Sequence, residues 1–198
     1  MMSLMSKTLC AVVVASVLFA AREAAATPIV SLVPSLTNVT VGGTTTVNVS
    51  ISDAVDVFAF QFDLGFNSAR ISASNLVEGS FLAGGGDTFF VPGSIDNLGG
   101  SIAFTGNTLL TAIAGESGGG ILATVTFTGL SEGLAGLSLF NVVLLDSSLS
   151  TIVPVTTAGG LVNVTQSTTP VPVPEPATWL LVASGLSALR WRRRRVRT

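Results

Sequence analysis

The ten residues Val57-Phe58-Ala59-Phe60-Gln61-Phe62-Asp63-Leu64-Gly65-Phe66 decide the fold. Large apolar side chains fall at 58, 60, 62, 64 and 66, with Ala59, Gln61 and Asp63 on the other face. A period of two belongs to a strand with one face in a core, because successive side chains leave a strand on opposite sides. Phe60 and Phe62 sit mid-stripe and are expected to be almost fully buried between sheets. Asp63 is expected on the opposite face, where Asp63→Asn changes stability by no more than about 0.5 kcal/mol unless the carboxylate holds a metal or a buried partner.

The same alternation extends outward. Val47, Val49 and Ile51 oppose Thr46, Asn48, Ser50 and Ser52, and Ile121, Ala123, Val125 and Phe127 oppose Thr124, Thr126 and Thr128. Further strands are expected at Leu36 to Val41, Ile71 to Val77, Thr88 to Val91, Ser101 to Thr105, Leu137 to Leu145 and Leu161 to Val164, about nine in all. Gly42-Gly43, Gly84 to Gly86, Gly99-Gly100, Gly118 to Gly120 and Gly159-Gly160 punctuate them as turns. No stretch of the body keeps a 3.6-residue period beyond two turns. The fold class is therefore all-β, a sandwich or barrel. A body of about 140 residues buries close to 70% of its unfolded surface and needs no covalent staples.

Composition removes much chemistry. The chain has 198 residues, no His, no Tyr and one Cys, Cys10, so Ser/His/Asp and Cys/His catalysis and His-ligated metals are excluded. From Pro28 to Pro174 nine acids (Asp53, Asp56, Asp63, Glu78, Asp87, Asp96, Glu116, Glu132 and Asp146) face one base, Arg70, a net charge of −8. Such a body has no footprint for a phosphate backbone, and nucleic acid is rejected as a partner. None of the carboxylates sits in a catalytic motif, and they read as solvated charges rather than a glycosidase pair. No cofactor is expected. Calcium is the one candidate, through Asp53 and Asp56 or through Asp87 and Asp96 if their loops converge, but no Asp-x-Asp-x-Asp-Gly loop exists. The body lacks Trp and Tyr, the usual stacking platforms for sugars. Phe89 and Phe90 are adjacent, so one ring must leave the core; a covered second face or a buried loop is favoured over a binding groove.

The two ends read as addresses. Lys7, an apolar run from Thr8 to Ala21 and the small residues Ala24-Ala25-Ala26 form a secretory leader, with Ala24 and Ala26 marking a cleavage site after residue 26. A membrane-anchored first helix is the bland alternative, but the run is short of the roughly 20 residues a bilayer needs. At the other end, QSTTPVPVPEP (166–176) is a Ser/Thr/Pro linker leading into Pro174-Glu175-Pro176. An apolar run from Ala177 to Leu189 follows, then Arg190, Trp191, Arg192, Arg193, Arg194, Arg195 and Arg197. The run spans about 20 Å as a helix against a hydrocarbon core of about 30 Å, so it inserts only with snorkelling arginines and local thinning. The basic cluster leaves the body outside the cytoplasm.

This ending resembles the PEP-CTERM sorting signal of Gram-negative bacteria over about residues 174–197. The resemblance implies recognition by an exosortase, transient membrane insertion, cleavage near Pro174, Glu175 and Pro176, and delivery to the cell surface or extracellular matrix. A permanent tail anchor is the alternative. The segments 39–71, 76–106 and 118–147 look like a cohesin domain: Phe58 to Phe66 with Asn67-Ser68 corresponds to its aromatic strand and following turn, and Glu78-Gly79-Ser80-Phe81-Leu82 and Ser94-Ile95-Asp96-Asn97 to its recurrent loops. Cohesins are nine-stranded jelly-roll sandwiches, related to some carbohydrate-binding modules, that bind dockerins in cellulosomes. The chain is thus expected to divide into a signal peptide (1–26), a cohesin-like sandwich (27–165), a linker (166–173) and a sorting signal (174–198), flanking helices included. The function implied is a non-catalytic surface or matrix protein binding a protein partner, with polysaccharide as the alternative ligand.

Overall fold

The structure, a computed structural model, describes residues 27–111 and 114–167 together with 182, 184 and 186. The strands are β1 (Ile29–Val33), β2 (Leu36–Thr40), β3 (Thr44–Phe66), β4 (Ile71–Glu78), β5 (Thr88–Val91), β6 (Ser94–Asp96), β7 (Ser101–Leu109), β8 (Glu116–Gly129), β9 (Gly133–Asp146), β10 (Thr156–Ala158) and β11 (Gly160–Thr165), with one helical turn, α1 (Ser80–Ala83). The chain divides into two compact units, Met1–Gln166 and Ser167–Thr198. Of the second unit, Ser167, Val182, Ser184 and Leu186 are described, and the last three are helical. No helix among the described residues is long and apolar enough to cross a membrane.

The first unit is a β-sandwich, and β3 belongs to both of its layers. Its first half pairs with β1 and β8, which extend to β10 and β4. Its second half pairs with β9 and β7, which extend to β11 and β2 on one side and to β5 and β6 on the other. Hydrogen bonding therefore runs through one continuous sheet of eleven strands. Between the layers lies one core. Val47, Val49, Ile71, Val125 and Phe127 enter it from the first layer, and Phe60, Phe62, Leu64, Ile102, Leu144 and Val162 from the second. Phe62 is 0% exposed and Phe60 stacks beside it, with centroids 6.0 Å apart and planes at 14°. Phe66 meets Phe127 edge-on at 5.6 Å, a ring contact across the two layers of the kind that adds about 0.5–1.5 kcal/mol to burial.

The alternation predicted this core, including the burial of Phe60 and Phe62, but not the continuity of β3. The two strands expected around Val47 to Ile51 and Phe58 to Phe66 are one strand of 23 residues. Its buried residues step by two as far as Ile51, by three through Ala54, Val57 and Phe60, and by two again to Phe66. Each three-residue step carries an extra residue, and in the first two Asp53 and Asp56 take it up with φ of 55° and 54°. Such bulges raise local twist, which carries the strand from one layer to the other. They also put Val57 inside in place of Phe58, which is only half-buried. β1, β6 and β10 were not anticipated; β6 and β10 are three residues each, too short to show a period. Gly118 to Gly120, expected as a turn, lie inside β8. At Gly120 a Cβ would sit 3.1 Å from the Phe81 ring, so a larger residue there would require that ring to shift by a few tenths of an ångström.

Two carboxylates hold the irregular places. At the crossing, the Gly115 N–H donates to Asp56 Oδ1 (2.6 Å), Ser147 Oγ donates to Oδ2 (2.7 Å), and the Asp56 N–H donates to Ser117 Oγ (2.9 Å). The Ser147 hydroxyl first, and the Gly115 N–H second, hold the Asp56 carboxyl below its usual range. Further along, Asp63 Oδ1 accepts from the Phe104 N–H and Oδ2 from Asn141 Nδ2, both at 2.7 Å. Phe104 in β7 and Asn141 in β9 have φ of 59° and 51°, and the β3 pairing slips beside each. Asp63 is therefore half-buried and doubly bonded rather than a bare surface charge.

Phe62→Ala is expected to cost about 3–5 kcal/mol in denaturant melts. Asp63→Ala leaves two donors without their acceptor and should cost about 1–3 kcal/mol, whereas Asp63→Asn stays mild because the Asn141 amide can turn to accept from the new NH₂. Equal losses for the two Asp63 variants would show that charge, not hydrogen bonding, matters there. For Asp56 the folded pKa lies below the ordinary 3.8, so its stabilisation is complete above that value and is lost as pH falls through the folded one. Thermal midpoints of wild type and Asp56→Asn should therefore converge as the pH is lowered below 3.8.

Candidate binding face

The outward surface of β9, β3, β7 and β5 carries exposed aromatic rings. Cross-strand pairing sets Leu145 beside Ala59, Ala59 beside Thr108, and Thr108 beside Phe89, in one row across four strands. Phe89 is 61% exposed, Phe104 59% and Phe140 42%. Phe89 and Phe104, together with Val91, Gly106 and Val143, line a shallow apolar groove of about 230 Å³. That volume lies below the roughly 300–1,000 Å³ of small-molecule sites, and suits one or two side chains of a larger partner.

The sheet beneath the groove is braced from inside. Asn107 is 5% exposed, and its Nδ2 donates to Glu78 Oε1 at 2.7 Å. Thr88 Oγ1 donates to the same oxygen, tying β5 to the end of β4. On the facing sheet the outward residues are instead hydroxyls and amides, with Asn48 and Thr124 bonded at 2.9 Å.

Charge is distributed unevenly along the sandwich. Asp146 and Glu116 both pair with Val57, Asp56 precedes it, and the Asp87 carbonyl accepts from the Leu110 N–H just past β7. Asp146, next to Leu145, and Asp87, two residues before Phe89, put acids at this end of the strands that line the groove. The only base among the described residues, Arg70, lies at the other end of β3, about 30 Å away at roughly 3.3 Å per residue. There its Nη1 donates to Ser131 Oγ (3.2 Å) and to the Glu132 carbonyl.

The carboxylate pairs considered for calcium are not assembled. Both oxygens of Asp56 are taken by Gly115 and Ser147, and Asp53 Oδ2 accepts from Ser52 Oγ. Asp87 and Asp96 lie at opposite ends of β7, and Asp96 Oδ1 accepts from the Leu98 and Gly99 N–H groups. Among the described residues no three His, Cys, Asp or Glu side chains could hold a metal ion together. Phe89 is the ring that leaves the core, and it lines a groove, contrary to the covered position favoured from sequence. Sequence reasoning missed Phe104: by parity with Ile102 it should point inward, but its left-handed conformation turns it out. Ala24, Ala26, Pro174, Glu175, Pro176, Arg190, Arg192, Arg193, Arg194, Arg195 and Arg197 lie outside the described residues.

Comparison with known proteins agrees with both parts of this organisation. A family model described as the PEP-CTERM protein-sorting motif matches residues 172–195. No curated protein sequence matches the chain. Among solved structures, a non-cellulosomal cohesin from Archaeoglobus fulgidus superposes with a TM-score of 0.57 at 20% identity, covering 71% of this chain and 93% of that one. A type I cohesin–dockerin complex from Clostridium thermocellum gives 0.59 at 13% identity, covering 74% and 99%. A type II cohesin domain from the cellulosome of Acetivibrio cellulolyticus gives 0.57 at 16%, covering 69% and 95%. The chain is thus a cohesin-like sandwich that carries a PEP-CTERM sorting motif, the mark of an exported protein processed by exosortase.

Proposed function

We propose that the protein is a non-catalytic binding module of the cell surface or extracellular matrix, and that the face of β9, β3, β7 and β5 takes a protein partner. The observation that carries this reading is the pair of exposed rings, Phe89 and Phe104, lining an uncharged groove. Exposed aromatic anchors beside a side-chain-sized depression are the usual centre of a protein–protein interface. The Clostridium thermocellum relative in fold is itself held in a complex with a dockerin, which supports a protein ligand here. The carboxylates at one end of the groove favour a partner with Lys or Arg at the matching position and make association weaken with salt. Polysaccharide is the second reading, suggested by the destination, but the groove offers Phe rings without the polar handle of Trp or Tyr. In the sorting step the leader ends at Ala26, the tail inserts transiently, and exosortase cuts near Pro174, Glu175 and Pro176.

Two measurements test this. Pull-downs against surface proteins should lose at least about tenfold in affinity, or 1.4 kcal/mol, on Phe89→Ser or Phe104→Ser, while Thr126→Ser on the other sheet leaves it unchanged. Specific retention on a glycan array with no protein partner would overturn the reading. The intact mass of surface-recovered protein should lack both Met1 to Ala26 and Arg192 to Arg195. A species keeping those arginines would make the tail a permanent anchor.

A further inference from the structure

β4 lies at the margin of the first layer, paired with β8 and, among the described residues, with no strand on its other side. Such an edge presents a row of backbone donors and acceptors to any other extended chain. In an antiparallel ladder alternate residues turn both their N–H and their C=O to the same neighbour. At Ala73 both groups turn away from β8 and meet one side chain. The Ala73 N–H donates to Asn97 Oδ1 (2.8 Å), and Asn97 Nδ2 donates to the Ala73 carbonyl (2.9 Å).

A primary amide carries the same acceptor and donor as a peptide unit, so Asn97 gives Ala73 the two bonds that a residue of an adjoining strand would give. Asn97 itself is exposed and belongs to the turn between β6 and β7, on the opposite layer. The rest of the edge is protected too: its pairing slips between Ala73 and Asn75, and Glu78 at its end is tied to Thr88 and Asn107. Ser72 to Val77 carry no charge, so antiparallel pairing of this strand with its own copy would bring no like charges together.

We propose that Asn97 is a guard that occupies the place of a sixth strand in the first layer and keeps β4 from pairing with β4 of a second copy. Removing the amide opens a two-fold symmetric contact in which each Ala73 edge is satisfied by the other chain.

The test compares self-association of full-length wild type, Asn97→Ala and Asn97→Asp by light scattering over a concentration series, in one mild detergent so that the tail contributes equally. Both variants lose the donor to the Ala73 carbonyl, but aspartate leaves a charge on the edge and alanine does not. Asn97→Ala should form a dimer at least about tenfold tighter than wild type, while Asn97→Asp stays as wild type. Asn97→Ser, too short to reach Ala73, replaces the alanine variant should that one fail to fold. Adding Ser74→Lys to Asn97→Ala should abolish the dimer by placing like charges opposite each other. A monomeric Asn97→Ala, equal association of the aspartate variant, or a dimer that survives Ser74→Lys would each overturn the proposal.

Discussion

A strand that serves two layers must find backbone partners on four different neighbours and change direction between them without losing its hydrogen bonds. β3 does this by placing residues with short carboxylates where the ladder cannot stay regular. Asp53 and Asp56 adopt left-handed conformations that Asp tolerates better than most residues, and Asp56 then gathers the start of β8 and the loop after β9 around the bend. The core depends on that turn in a simple geometric sense: without it, Val47 to Ile51 and Phe60 to Phe66 could not face each other across the same interior. The cross-layer contact of Phe66 with Phe127 is the product of the turn, not its cause.

The same device reaches the candidate site. Asp63 fixes the left-handed residue of β7, and that conformation is what turns the Phe104 ring outward. A core-facing strand thus sets the outer surface through a single carboxylate lying between two neighbours. The face consequently combines rigid backbone underneath with rings above, which is the combination that lets an anchor side chain bind without a large ordering cost.

The period-two pattern carried the fold because burial on one face imposes it directly. Phe60, Phe62, Val125 and Phe127 were legible for that reason. What escaped were the places where an extra residue resets the parity: Phe58 yielding to Val57, Phe104 turning out, and the two halves of β3 joining. A bulge leaves no signature in hydrophobicity, since it depends on which donors a neighbouring carboxylate can reach. Asp63 and Asp56 look in sequence like the other acids, and only three-dimensional pairing distinguishes them. The sorting tail was legible for a different reason: a charge cluster after an apolar run is a linear signal that needs no folding to be seen.

The chain leaves the sandwich at Thr165, the last residue of β11, and β11 is an interior strand with β2 on one side and β9 on the other. Its five residues paired with β2 run parallel to that strand, and the Thr165 carbonyl accepts from the Val41 N–H. A pull delivered through residue 166 along the strand axis therefore loads the ladders on both flanks in shear, where many bonds must yield together, instead of peeling them one at a time from an edge. If the proposed tether and partner load the module through its C-terminal side, this arrangement gives mechanical resistance where that force enters the sandwich.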